Sequence, residues 1–319
     1  MQHRKLRPGL LGAAIAGLAA SLALPAVAET VRVEMTAMEV DIAIDNAGNT
    51  RRMWTYGGAI PGPLVRVKQG DVVHFTLNNA PGNANSHSMD FHAARVDVLD
   101  EFAEVKPGDS KEFTFSADYP GVFIYHCGAE AMAEHISKGM YGVIIVDPTE
   151  GYSDAFPRPD REYVLVQGDL FAATASPEEI TMGHQKENVL INGKVFHYDP
   201  VHDPNASLAL EALPGERVRF YYVNAMINEA SAVHPIAGIW DRVWDNGHPK
   251  NVSYGMQTVE IGPAHGMILD LIPPPGRASN NAIVDHRMKN AMSGGITVLM
   301  NHEDADPAKG RGDQLILRE

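Results

Sequence analysis

The 319-residue chain sets 26 lysine and arginine residues against 40 aspartate and glutamate residues, a formal net charge of −14. That balance opposes nucleic acid or an anionic membrane as partner, because both demand a positive surface. The length suits two ordinary domains, and a single cysteine, Cys127, rules out an intrachain disulfide.

The first 28 residues read as a signal peptide. Arg4, Lys5 and Arg7 form a positive start, Leu10 to Leu24 an apolar stretch, and Ala26-Val27-Ala28 a small-residue cleavage signature. Removing them deepens the acidic excess. No later stretch approaches the ~18 apolar residues that span a bilayer, so an exported, periplasmic protein without membrane insertion is expected. From residue 29 onward the texture is all-β. Runs rich in Val, Ile, Phe and Tyr are broken by Gly, Pro, Asn and Asp, as in LVRVKQGDVVHFTLNNAPG (64–82), SKEFTFSADYPGVFIYHC (110–127) and REYVLVQGDL (161–170). Residues 128–138 are expected to hold one short helical turn. A Pro- and Asp-rich stretch suggests a linker at 151–160, between a first domain at 29–150 and a second at 161–310, with a tail at 311–319.

The two sides of that linker rhyme. GDVVHFTLNNA (70–80) matches GERVRFYYVNA (215–225), HSMDFH (87–92) matches EASAVH (229–234), and YPGVFIYHC (119–127) matches SNNAIVDHR (279–287). KGMYGVIIV (138–146) likewise matches MSGGITVLM (292–300). A repeat of this size implies two sandwiches of one ancestry. The second copy carries Glu229 in the place of His87, Arg287 in that of Cys127, and falls near Ser293 at the position of Met140. It keeps His234 in the place of His92 and His286 in that of His126. Core packing offers no reason for so selective a loss.

His87, Cys127, His135 and Met140 form a first candidate metal set. Two imidazoles, a thiolate and a thioether suit a blue copper electron-transfer centre, and methionine is a poor ligand for the alternative, zinc. Three of the four lie on one loop after a strand, the pattern of a cupredoxin sandwich. The expected fold is therefore all-β, with two tandem cupredoxin-like Greek-key β-sandwich domains. His92, His126 and His286 form a second set, three imidazoles with room for water or substrate. Because His126 and Cys127 are neighbours, two metals bound there would be joined by a short covalent path.

HSMDFH, the Cys127–His135–Met140 loop, VHPI and the Asp285-His286 pair, in this order, resemble the copper-containing nitrite reductases over most of the chain. The resemblance implies homotrimers of two-domain subunits, with two copper ions per subunit. It assigns His87, Cys127, His135 and Met140 to a type 1 copper. It assigns His92 and His126 of one chain and His286 of its neighbour to a type 2 copper. Asp90 and His234 would handle protons, and Ile236 would crowd the substrate. The implied reaction takes nitrite to nitric oxide and water with one electron and two protons. The implied electron donor is a small cupredoxin or a cytochrome c. This chain departs from the commoner family pattern in three places. The Cys127–His135 loop, GAEAMAE, is one residue shorter than in the best-known members, Ile239 stands where many relatives carry histidine, and Met89 adjoins Asp90.

Other residues take plainer readings. His74 is expected to be structural, Met132 to pack over the first site, and His184, His197, His202, His248, His265 and His302 to lie at the surface or behind ligands. A laccase-like oxidase would need several His-x-His pairs for its trinuclear cluster, and none occurs among the 14 histidines. A blue copper electron carrier with a vestigial second site is the remaining alternative.

Overall fold

The computed structural model describes residues 28–317; the signal peptide read at 1–28 lies outside them save Ala28, as do the last two residues of the tail. The first half of the chain supplies β1 (Thr30–Ala43), β2 (Thr50–Tyr56), β3 (Val65–Lys68), β4 (Val72–Asn79) and β5 (Asp90–Phe91). It continues with β6 (Ser110–Ser116), β7 (Gly121–His126), α1 (Met132–Ser137) and β8 (Tyr141–Asp147). These form two four-stranded sheets, β2-β1-β4-β6 and β3-β8-β7-β5. The short helical turn expected at 128–138 is α1.

The second half supplies β9 (Arg161–Phe171), α2 (Pro177–Thr181), β10 (Lys186–Ile191), β11 (Leu210–Ala212), β12 (Val218–Asn224) and β13 (Ser231–Pro235). After these come β14 (Trp240–Asp245), β15 (Val252–Met256), β16 (Val259–Ile261), β17 (His265–Leu271), β18 (Ser279–Asp285), α3 (Met288–Ala291) and β19 (Ile296–Asn301). Its sheets run β10-β9-β12-β17-β14-β15 and β11-β19-β18-β13-β16. The fold is the all-β pair of sandwiches expected from the sequence.

Side-chain alternation explains the layering. In β4, Val73, Phe75 and Leu77 are buried while Val72, His74 and Thr76 are half-exposed, the pattern of a strand with one wet face. In β8 both faces are covered. Ile144 and Val146 join the first sandwich core with Phe75 and Phe91. Tyr141, Val143 and Ile145 join Ile124, Val164, Val166 and Ile268 in an apolar layer between the two halves. Each such buried aliphatic side chain contributes about 1.5–3 kcal/mol. β7, which ends at His126 with Cys127 next in the chain, pairs with this doubly covered strand. At Gly142 a Cβ would lie 2.2 Å from the Tyr125 ring, which packs across it.

The internal repeat holds at the level of strand register. Asp90 pairs with His126 and Phe91 with Tyr125, while Val233 pairs with Asp285 and His234 with Val284. His92 N donates to Ile124 O at 3.1 Å, so His92 faces Ile124 as His234 faces Val284. The following pair of strands is offset by one residue from the text match: Val143 stands opposite Ile124, as Ile296 stands opposite Val284. This puts Ser293 at the place of Met140.

Candidate metal centres

Two groups of ligand-type side chains meet at the end of β7. In the first, His87, Cys127 and His135 are buried and their ligand atoms lie within 4.8 Å of one another. His87 Nδ1 is 3.3 Å from His135 Nδ1, and Cys127 Sγ is 3.2 Å from His135 Nδ1. Backbone bonds hold the loop in place: Cys127 N donates to Met140 O and Met140 N to His135 O, each at 3.1 Å. Met140 is fully buried beside them. The short loop turns back through Ala131, which sits in the left-handed region at φ 59° at a cost of roughly 1–2 kcal/mol. Ser88 N donates to the sulfur at 3.3 Å, and the Trp54 ring lies edge-on to His135 with centroids 4.7 Å apart.

The second group is Asp90, His92 and His126. His92 Nε2 and His126 Nε2 are 3.0 Å apart. Asp90 Oδ2 lies 4.0 Å from the first and 3.8 Å from the second. His126 Nδ1 donates to Cys127 O at 3.0 Å, which leaves Nε2 as the free lone pair. Consecutive residues point to opposite sides of an extended chain, so His126 and Cys127 serve different groups.

His286 is not in the second group within this chain. Its ring lies 5.2 Å from that of His234, and its backbone N–H donates to Ala232 O at 2.7 Å. His234 Nδ1 contacts Gln257 O at 2.5 Å, and Ile236 on the same strand end is 40% exposed. The chain therefore presents two separate clusters, Asp90–His92–His126 on one sandwich and His234 with His286 on the other, with Ile236 just beyond the strand that carries His234.

Burial lowers the proton affinity of His87 and His92, and, with His87 nearby, brings His135 down to about 4. At neutral pH these rings are uncharged and offer lone pairs. Burial raises the Cys127 thiol, so a metal must displace its proton on binding. In the metal-free protein the unfolded chain, with histidines near 6.5, takes up protons that the native state refuses. Stability is accordingly full above pH about 6.5 and is lost as the pH falls toward 4, His135 alone accounting for about 3 kcal/mol. Melting curves of metal-free protein at pH 7 and 4.5 check this. Tm is expected to drop by several degrees, and less in His135→Gln; equal drops in the two proteins would refute the assignment to His135.

Sequence reasoning missed three neighbours of the first group: Glu39, Trp54 and Ser88. Glu39 and Trp54 carry no motif and are brought together by the pairing of β1 with β2, whereas Ser88 lies inside HSMDFH, directly after His87, and shows no ligand chemistry of its own in the sequence. Two expectations need correction. Met132 does not pack over the first site: as the first residue of α1 it is 45% exposed and lines a surface hollow with His126, Ile136 and Ile227. His197 is not a surface residue; it is buried against the ring of Tyr198. His74 takes the structural place expected on β4, 3.3 Å from Thr114 Oγ1.

The equivalent of the first group in the second sandwich is closed by an amino group. Lys186 Nζ, on a side chain 4% exposed, bonds Asp169 at 2.7 Å and Glu229 at 3.0 Å. It also bonds Asn290 Oδ1 at 3.1 Å. Arg287, at the place of Cys127, turns outward to Glu260.

Two sandwiches with a buried Cys/His group beside an imidazole pair define a copper protein built from cupredoxin-like domains. The donor set fits that metal, since soft sulfur and neutral imidazole converge in a dry pocket. The family profile described as multicopper oxidase matches residues 38–151. A copper-containing nitrite reductase of Neisseria meningitidis is 33% identical over 286 residues, covering 86% of this chain and 70% of the relative. The solved copper nitrite reductase from Nitrosomonas europaea is 53% identical with a TM-score of 0.88, covering 91% of this chain and all of that one. A copper-containing nitrite reductase from Thermus scotoductus superposes with a TM-score of 0.77 at 30% identity, over 88% of this chain and 64% of that one. The chain belongs to the copper-containing nitrite reductase family.

Proposed function

We propose that this protein reduces nitrite to nitric oxide and water, consuming one electron and two protons. The carrying observation is that His126 and Cys127, adjacent in sequence, stand in separate ligand groups, each within about 3 Å of another ligand atom. His87, Cys127, His135 and Met140 would hold one copper. His92 and His126, with His286 of a neighbouring subunit, would hold a second. Bound copper supplies one-electron redox at the first group and a Lewis-acidic seat for the anion at the second.

The chain's own residues do the rest. The bond from His126 Nδ1–H to Cys127 O adds a second link between the groups beside the covalent one. Asp90, 28% exposed at its side chain and within 4 Å of both imidazole nitrogens, can hold a proton where the departing oxygen would stand. A subunit that delivers His286 brings His234 with it, because the rings are 5.2 Å apart. Ile236 then narrows the seat for the anion. This arrangement requires an oligomer, read here as the homotrimer. Export to the periplasm, with cleavage near Ala28, would place the enzyme beside small cupredoxin or cytochrome c donors, and the acidic surface is compatible with a complementary basic partner.

Anaerobic assay of the copper-loaded protein for nitric oxide from nitrite tests the reading. Wild type is expected to turn over, and Asp90→Asn to lose about 10²-fold or more. No nitric oxide from fully loaded wild type would leave an electron carrier. Unchanged activity in Asp90→Asn would remove the proton role alone.

A further inference from the structure

We infer that Glu39 is a positioning residue for the first metal group: it orients the His87 ring and lowers the reduction potential of copper held there. The inference rests on His87 being a ligand of that copper. Glu39 lies on β1 with its side chain only 7% exposed. Its Oε1 accepts Ala84 N at 3.0 Å, Asn85 N at 2.9 Å and Asn85 Nδ2 at 3.0 Å. The same carboxyl oxygen lies 3.5 Å from His87 Nε2. That nitrogen is buried and has no hydrogen-bond partner, so the carboxylate is the polar group it faces.

The other ring nitrogen, Nδ1, faces His135 at 3.3 Å. One imidazole thus spans a carboxylate and the prospective metal position. The contact favours the proton on Nε2 and leaves Nδ1 as a lone pair, the arrangement by which outer carboxylates orient ligand histidines. The three N–H bonds also make Glu39 the anchor of the turn that delivers His87. Cupric copper carries one more positive charge than cuprous copper. A buried negative charge across the ring therefore favours the oxidised ion.

Full-length, copper-loaded protein tests this by redox titration of its visible blue absorption. Glu39→Gln keeps an oxygen acceptor for Ala84 and Asn85 but removes the charge. It is expected to stay blue and to shift the cuprous-to-cupric ratio at fixed ambient potential about tenfold toward cuprous, a rise of about 59 mV. Copper affinity measured by chelator competition should fall by a similar factor. A blue Glu39→Gln protein with wild-type potential overturns the inference. Should that variant not fold, Glu39→Asp draws the charge back by one methylene and is expected to raise the potential by less; an unmoved potential there overturns it equally. Wild type with no blue absorption would instead sink the reading of the first group itself.

Discussion

Cys127→Ser protein is expected to be colourless, to hold copper only at the second group, and to make no nitric oxide with a one-electron protein donor. Cys127 is fully buried, with Ser88 N–H aimed at its sulfur at 3.3 Å. Serine keeps the shape of the site but replaces a soft, polarizable donor with a hard hydroxyl that stays protonated at neutral pH. Cuprous copper is poorly held by such an oxygen, so the group can no longer cycle. The His126 side of the pair is untouched, because its Nδ1–H bonds the backbone carbonyl of residue 127 and not its side chain. Copper analysis, optical absorption and EPR on the same sample separate the effects. The expected result is half the wild-type copper, no blue band, and a retained second signal. An active Cys127→Ser protein would mean that electrons reach the second group by another route, and a blue one would overturn the reading of the first group.

The second large effect concerns chain pairing. His286→Ala and His92→Ala proteins should each be inactive alone, since each lacks one imidazole of every second-group site. In oligomers assembled from an equal mixture, some interfaces join an intact His92–His126 pair to an intact His286. Random assembly restores about a quarter of the sites, because each interface draws independently on two chains. Recovery of about a quarter of wild-type activity on mixing is expected. No recovery, with mixed oligomers shown to form, would place all three ligands in one chain. The separation of the Asp90–His92–His126 cluster from the His234–His286 pair within one chain is the reason to expect complementation.

Much of this was legible in the sequence because its chemistry is local. Cys127, His135 and Met140 share one loop, and the repeat aligns His92 with His234 and His126 with His286 in the sequence itself. Register then agrees with that alignment, since strand pairing follows the same apolar alternation that makes the repeat visible. What could not be read depends on contacts between distant strands. Glu39 lies 48 residues before His87 and reaches it only because β1 pairs with β4 and its side chain folds over the 83–85 turn. Trp54 meets His135 for a similar reason, its backbone N–H donating to Lys138 O at 2.9 Å. Met132 misled because proximity in sequence to Cys127 and His135 suggested a roof, whereas α1 turns that position outward.

Lys186 gives the two sandwiches unequal dependence on trace-element supply. Its cationic tip is tethered to the chain, so the half that bears His234 and His286 keeps a positive charge against Asp169 and Glu229 whether or not the medium provides copper. Starvation should then loosen the interior of the N-terminal half more than that of the C-terminal one, which stands as a ready-made platform for late-arriving ions.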